Sequence, residues 1–202
     1  MRPVDTEVIM VEVDLFKTDV GLPAGLRYRP ELLTPDEETG VVALFEGLPF
    51  REFEFHGFLG KRRVVSFGWR YDFNGGGLQK TQPIPDFLLP MRERAAAFAE
   101  LPASSLAHVL VTEYRPGAAI GWHKDRSVFG DVVGVSLLSD ATLRMRCKSG
   151  RGWRRALLSL QPRSAYLLRG PARTQWEHSI PAVLRLRYSV TFRTLIGRAV
   201  VG

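Results

Sequence analysis

Arg187-Tyr188-Ser189-Val190-Thr191-Phe192-Arg193 decides the fold. It alternates with period two, the mark of an extended strand. Successive side chains of a strand point to opposite faces. Arg187, Ser189, Thr191 and Arg193 therefore share one face, and Tyr188, Val190 and Phe192 share the other. Two guanidinium groups on one face ask for an anion, and the arginine fork suits a carboxylate. Solvated strand arginines are the plain alternative, and residues elsewhere in the chain decide between the two.

Working outward, residues 107–113, 132–137, 142–146, 154–160 and 165–168 read as further strands, and the quoted stretch extends over 187–194. Short loops with Gly, Pro, Ser or Asp separate them. Many short strands at regular spacing argue a sandwich or small barrel. A jelly roll is one such solution, with a mouth able to hold a ligand.

The first half is mixed. Residues 8–16 alternate loosely and read as a strand or extended arm, and residues 22–29, punctuated by Gly and Pro, read as loop. Thr34-Pro35-Asp36-Glu37 starts a helix: Thr34 caps, Pro35 suits the first turn and Glu37 completes a capping box. Val41, Val42, Leu44, Phe45 and Leu48 give that helix a buried side. Residues 51–55 and 62–67 read as strands. Trp69-Arg70-Tyr71-Asp72-Phe73 continues with aromatics at alternate positions, before the flexible turn Asn74-Gly75-Gly76-Gly77. A second helix is predicted over about residues 90–100, packed like the first outside the sheet. Aromatics interleaved with arginine suit stacking on a base or a ligand. They equally suit one face of an ordinary strand. Trp69 and Tyr71 are the candidate substrate contacts here, and the glycines suit a mobile cover.

The 202 residues suffice for one domain with a sizeable core. The chain is 45% hydrophobic and 24% charged, ordinary for a soluble globular protein. Its net charge of +7 and isoelectric point of about 10.0 favour polyanionic partners. The lone Cys147 rules out an internal disulfide and a cysteine-based zinc site, and fits a reducing, cytoplasmic setting. Residues 1–7 show no apolar run after a basic segment, so no secretory signal is expected. No apolar stretch approaches the length that crosses a bilayer. A monomer without membrane contact is expected.

Trp122-His123-Lys124-Asp125 supplies the chemistry. In an extended strand His123 and Asp125 share a face and can grip one ion. A His–x–Asp pair recurs by chance and also suits a surface ion pair. The chain has only four histidines, however, and one of them, His178, lies far downstream in Trp176-Glu177-His178-Ser179-Ile180-Pro181. Two histidines and one carboxylate on one face of a metal leave its other positions open, as in non-haem Fe(II) oxygenases. The same donors suit zinc, a reading that leaves Arg187 and Arg193 without a role.

Val111-Thr112-Glu113-Tyr114-Arg115-Pro116-Gly117, then His123-Lys124-Asp125, then His178, then residues 187–193 resemble the AlkB-like family of Fe(II)- and 2-oxoglutarate-dependent dioxygenases. The similarity covers roughly residues 62–194. Phe67-Gly68-Trp69 and Ile84-Pro85-Asp86-Phe87 look like that family's N-terminal extension. The resemblance implies a mainly β (α+β) fold, a double-stranded β-helix or jelly roll with flanking N-terminal helices. It implies a single domain over 1–202, with an extension and lid over about 1–105 and a β-helix core over about 106–196. It implies Fe(II) held by His123, Asp125 and His178, with 2-oxoglutarate chelating the iron and O2 taking the last position. Arg187 and the Tyr114 hydroxyl would hold the far carboxylate of the co-substrate, and Arg193 the carboxylate near the metal. Succinate and carbon dioxide result, and an N-methyl group hydroxylated at the site leaves as formaldehyde.

Two departures bear on the substrate. Thr112 stands where the family's nucleic-acid demethylases commonly have Asn, and Thr can still hydrogen-bond the co-substrate. Ser127 stands where some of them carry a second acid that contacts the base. The Ser127-Val128-Phe129-Gly130-Asp131 turn looks more like branches that modify transfer RNA or protein.

Three functions are therefore weighed. The first is oxidative demethylation of an alkylated nucleic-acid base, as in DNA repair, with Lys61, Arg62, Arg63, Arg144, Arg146, Lys148, Arg151, Arg154 and Arg155 as a candidate phosphate track. A duplex target would need its base flipped out, at about a few kcal/mol. The second is the same chemistry on a methylated protein side chain, or a transfer-RNA modification. The third is a non-catalytic binding module, against which the complete metal and arginine set speaks. His123→Ala is expected to abolish Fe(II) binding and turnover, read by metal analysis and succinate production. Retention of one iron per chain by that variant would remove His123 from the ligand set.

Overall fold

Period-two alternation does organise the chain, and its two faces build two cores. The computed structural model describes residues 8–10, 22–55, 58–72 and 76–197. In chain order these form β1 (Val8–Met10), β2 (Leu26–Arg29), α1 (Pro35–Phe45), β3 (Arg51–Phe55), β4 (Phe58–Phe67), β5 (Trp69–Asp72) and β6 (Gly77–Lys80). Then come α2 (Leu89–Ala99), β7 (His108–Tyr114), β8 (Ile120–His123), β9 (Phe129–Leu137), β10 (Ala141–Ser149) and β11 (Gly152–Leu160). β12 (Ala165–Leu168), α3 (Gly170–Thr174), β13 (Glu177–Ile180) and β14 (Arg187–Leu195) complete the order.

A major sheet runs β2-β12-β9-β14-β7-β4-β3, a minor sheet runs β1-β11-β10-β13-β8, and β5-β6 is a separate hairpin. Neighbours are antiparallel except β1, which lies parallel to β11. The two sheets face each other, as in the expected jelly roll. Between them Leu143, Met145 and Leu158 of the minor sheet meet Val132, Tyr166 and Leu168 of the major sheet. On the far side of the major sheet, Val109, Val111, Val133, Val135, Val190 and Phe192 pack against Phe45, Met91, Ala95 and Phe98 from α1 and α2. The helices thus lie outside the sheet, where the spacing of their apolar residues put them.

α1 forms for the reasons visible in the sequence. The Thr34 side chain accepts from the Glu37 amide at 3.2 Å, and the Glu37 carboxylate accepts from the Thr34 amide at 2.8 Å. The buried Glu38 then ties the helix to the sheet edge, accepting from the Leu138 amide at 2.8 Å and from Arg163 at 3.2 Å. Gly68, between β4 and β5, has φ +74° and sits where a Cβ would meet the Ala107 carbonyl oxygen at 2.1 Å. Only glycine suits that position, and its amide and carbonyl close the base of the hairpin on Gln82 and Thr81.

Three expectations change. Residues 26–29 form β2 rather than loop, because the β12 edge offers them a full antiparallel register, Tyr28 opposite Tyr166. The carriers of His123 and His178, β8 and β13, are four residues each, too short for alternation to reveal. Asp125 lies just past the end of β8, in irregular backbone, rather than within the strand. Of the predicted arm over 8–16, residues 11–16 fall outside the described residues, as do Phe73, Asn74 and Gly75 of the hairpin turn.

One polar group on the helix-facing side joins three strands. Glu113 of β7 lies opposite Arg63 of β4 and Tyr188 of β14. Its carboxylate accepts two bonds from Arg63, at 2.7 and 2.8 Å, one from Arg115 at 2.9 Å, and one from the Tyr188 hydroxyl at 3.2 Å. The Arg63 hydrogen bonds, with Arg115, hold this carboxyl below the ordinary glutamate range. A depressed folded-state value means stability that is present above the unfolded value, about 4.3, and lost as pH falls through the folded one. Glu113→Gln is expected to cost roughly 1.5–3 kcal/mol at neutral pH and to flatten the acid limb of stability against pH in urea titrations. An unchanged acid limb would show that this network adds nothing.

Candidate active site

The inner face of the major sheet is laid out in cross-strand rows. Arg62, Tyr114 and Arg187 stand side by side on β4, β7 and β14; Val64, Thr112 and Ser189 form the next row, with Ser136 of β9 beyond. At the far end His108 pairs with Arg193. Together with the minor sheet they enclose a cavity of about 770 Å³. That volume lies within the range usual for small-ligand pockets.

At one end of the cavity stand His123, Asp125 and His178. The pairing of β8 with β13 sets His123 opposite His178, with ring centroids 4.2 Å apart. His178 Nε2 is 3.8 Å from Asp125 Oδ2. Two donors at about 2.1 Å from one ion stand roughly 3–4 Å apart, so this spacing fits a shared metal. As they stand, no three His, Cys, Asp or Glu among the described residues close into a ligand cluster. The donor chemistry nevertheless fits. His123 holds Nδ1 2.9 Å from the Gly121 carbonyl, which leaves Nε2 as its ligating atom. Asp125 Oδ2 is buried without a hydrogen-bond partner. Burial, reinforced by His123, pushes the His178 imidazole down to about 3, and burial also lowers His123. Both rings are therefore neutral at pH 7, the form that ligates metal.

Arg193 does not stand open to an anion. Its Nε and Nη2 both donate to Asp125 Oδ1, at 2.8 and 2.7 Å. Burial works against charge on Asp125, but Arg193 and the two histidines outweigh it and hold the carboxyl well below the usual carboxylate range. Arg193 Nη1 in turn lies 3.3 Å from His108 Nδ1. Burial and the neighbouring Arg193 charge keep His108 neutral, so it accepts this bond. Behind Asp125 the buried Arg173 of α3 donates to the carbonyls of Arg126, Phe129 and Gly130 at 2.6–2.9 Å, fixing the loop that carries the carboxylate.

At the other end, Arg187 is the largest fully buried side chain, only 1% exposed. Its Nε donates to Ser136 Oγ at 3.1 Å and its guanidinium lies 4.9 Å from the Tyr114 ring centroid. Nη1 is buried without a partner. A buried cation with an unmatched donor, on a residue that lines the cavity, fits a carboxylate ligand. Tyr166 shares this wall, and burial pushes its hydroxyl up to about 12, so it remains a donor. Its ring lies across Gly134, where an added Cβ would come within 2.3 Å of it.

Tyr71 lines the cavity and lies 5.0 Å beneath the Arg126 guanidinium. Trp69 and Ser127, the other two expected substrate contacts, are not among the lining residues. The basic residues expected to form one track divide. Arg62 faces the cavity, Arg63 faces the helices, and Arg144, Arg146, Lys148 and Arg155 lie on the outside of the minor sheet. Arg70, Lys124 and Arg126 line the cavity unforeseen. Two of these flank the metal-type motif in sequence, which was a signal. His108, Ser136, Tyr166 and Arg173 carried none, because each acts through a partner distant in the chain.

A jelly roll whose cavity brings together two neutral histidines, an ionised aspartate and a buried, unmatched arginine offers donors for one metal ion and a seat for an anionic ligand. The chain belongs to the 2OG-Fe(II) oxygenase superfamily, whose family profile matches residues 27–193. It is 28% identical over 204 residues to the "Alkylated DNA repair protein ALKBH8 homolog" of Arabidopsis thaliana. That match takes in 89% of this chain and 57% of the relative, so the chain spans little more than half the relative's length. The solved structure of OsALKBH1 shares the fold, with a TM-score of 0.69 at 16% identity over 87% of this chain and 99% of that one. Membership of that superfamily implies an oxygenase chemistry based on Fe(II), 2-oxoglutarate and O2.

Because Arg193 is the cation that offsets the buried Asp125, Arg193→Met is expected to destabilise the metal-free protein by roughly 3–5 kcal/mol. Urea unfolding without metal or co-substrate measures it. An unchanged midpoint would mean that Arg193 serves only bound ligands.

Proposed function

We propose that this dioxygenase removes alkyl groups oxidatively from a nucleic-acid base presented in a single strand or flipped from a duplex. The observation that carries the reading is the set of cations lining the cavity. Arg62, Arg70, Lys124 and Arg126 all line the cavity, with Tyr71 beneath Arg126. Cations beside an aromatic ring suit a phosphate backbone and a stacked base. The net charge of +7 agrees, and the Arabidopsis relative is named an alkylated DNA repair protein.

In this reading His123, Asp125 and His178 hold the iron. Bound iron would let O2 act as the oxidant, with 2-oxoglutarate as its two-electron donor: one oxygen atom would end in succinate, formed with carbon dioxide, and the other in the formaldehyde that leaves the substrate. The chain's own groups do the rest. The Arg187 guanidinium and the Tyr114 hydroxyl anchor the far carboxylate of 2-oxoglutarate, with Thr112 on the same wall. Arg193 keeps Asp125 ionised and fixes its Oδ1, so that Oδ2 remains for the metal. The neutral His123 and His178 present lone pairs instead of protons. Apolar Leu110, Leu143 and Ile180 in the cavity wall keep water from the reacting centre. Tyr71 stacks on the target base.

A methylated protein side chain is the second reading, favoured by Ser127. It is exposed and outside the cavity, so no acid from that position reaches a base. A formaldehyde-release screen over methylated oligonucleotides and methylated histone-like peptides separates the two. Release from oligonucleotides alone is expected, and release from peptides alone would replace the first reading with the second. Arg187→Ala is expected to raise KM for 2-oxoglutarate by roughly 10- to 100-fold, from loss of charge-assisted bonds worth about 1.5–3 kcal/mol, with a smaller effect on kcat. Unchanged KM would remove Arg187 from the co-substrate site.

A further inference from the structure

The outside of the minor sheet carries a second cluster of cations and rings, away from the cavity. Alternation along β10 turns Leu143 and Met145 into the core and Arg144, Arg146 and Lys148 outward. The register places Arg155 of β11 beside Arg146, and Trp153 beside Lys148. On the other flank Glu177 of β13 lies beside Arg146, and Ser179 beside Arg144. The Arg146 guanidinium is 4.4 Å from the Trp122 ring centroid and 4.3 Å from that of Trp153. Its Nε donates to Glu177 Oε2 at 2.6 Å. Arg144 lies 5.2 Å from the same Trp122 ring and donates to Ser179 Oγ at 3.0 Å. Two indoles are thus held on the sheet exterior by one clamped cation. Trp122 also lines the cavity next to His123, so this face adjoins the cavity.

The arrangement has a cost. Like charges on adjacent strands destabilise a sheet, and among the described residues Arg144, Arg146, Lys148 and Arg155 share this face with the single carboxylate of Glu177. A polyanion offsets that repulsion. An acidic peptide would use the cations and ignore the indoles. Single-stranded nucleic acid uses both, phosphates on the cations and bases on the rings. Trp153 remains half-exposed and Lys148 exposed, as such contacts require.

We propose that this face binds single-stranded nucleic acid, leading the strand away from the cavity over Trp122 to Trp153, Lys148 and Arg155. The proposal rests on the nucleic-acid reading of the active site and adds a second region of contact to it. From β8 to β11 there are three interstrand spacings, about 14 Å, enough for a short run of nucleotides.

Fluorescence anisotropy with labelled oligothymidylates of increasing length tests it on the full chain. Wild-type affinity is expected to rise with length until the strand covers the face, and to fall with salt. Trp153→Ala, and Lys148→Ala with Arg155→Ala, are each expected to weaken binding of the longer oligomers roughly tenfold. The shortest oligomers are expected to bind them as they bind wild type, and Trp153→Phe to restore most of the loss. Succinate formation from 2-oxoglutarate without nucleic acid is expected to be unchanged in all of them, since none of these side chains lines the cavity; this also reports that the variants fold. If wild type binds no oligonucleotide of any length, the nucleic-acid reading itself falls. If wild type binds and the variants bind long oligomers equally well, the track is overturned while that reading stands. If charge removal weakens binding but Trp153→Ala does not, and polyglutamate competes as well as oligothymidylate, the face serves an acidic protein partner instead.

Discussion

β7 and β14 are buried on both faces, and that constraint organises the molecule. One side must be apolar to seat α1 and α2; the other must be polar to serve a cavity. Alternation solves both demands with a single strand, Val190 and Phe192 turned to the helices while Arg187, Ser189, Thr191 and Arg193 turn inward. A slip of one residue would exchange the faces, burying two arginines under the helices and placing valine and phenylalanine in the site. Register is thereby fixed by the core, and the geometry of the chemical groups inherits that precision. The same logic explains why Glu113 needs so many partners. It is a carboxylate on the helix-facing side, where its neighbours in the alternation are valines, and Arg63, Arg115 and Tyr188 satisfy it.

Inside the cavity the charges are graded rather than uniformly matched. At the His–Asp–His end Arg193 meets Asp125, His108 accepts from Arg193, and both motif histidines are neutral. At the opposite end Arg187 keeps a buried donor with no partner. Burying an unmatched donor lowers stability, and the arrangement is understandable where an anionic ligand completes it. The polarity of the cavity therefore runs from a compensated ion pair to an uncompensated cation along one strand, six residues apart, or about 20 Å of extended backbone. A small dicarboxylic acid entering such a gradient has a preferred orientation before any metal bond forms.

Much of this was legible from the chain. Long strands announced themselves by alternation, and the Thr34–Glu37 box marked the start of α1 through purely local chemistry. The His123, Asp125 and His178 triplet stood out because histidines are few and their flanks are distinctive. What escaped was whatever depends on a distant neighbour. β2 exists because β12 offers an edge; its own residues, after Pro23 and Gly25, look like loop. Of the two aromatics that alternation put on one face, Tyr71 lines the cavity and Trp69 does not. The basic residues could be counted in the sequence but not assigned to a side. Alternation within each strand split them between cavity, helix face and sheet exterior. Arg193 was expected on the metal-side carboxylate of the co-substrate, but the anion it grips in the structure is Asp125 of its own chain, a contact that only the pairing of loops and strands reveals.

The contact between Gly134 and Tyr166 has a bearing on how this chain can vary through evolution. The two residues face each other across β9 and β12, and the ring occupies the space a side chain at 134 would need. The pair has a fixed total volume, so bulk can move from one partner to the other but cannot be added to either alone. Among divergent descendants the two positions should drift as a unit. A larger residue at the first would select a smaller one at the second, and with it a wider chamber beside Arg187. The size of that chamber, and the co-substrates it admits, could then be retuned by an exchange between two neighbours without disturbing the strands that carry them.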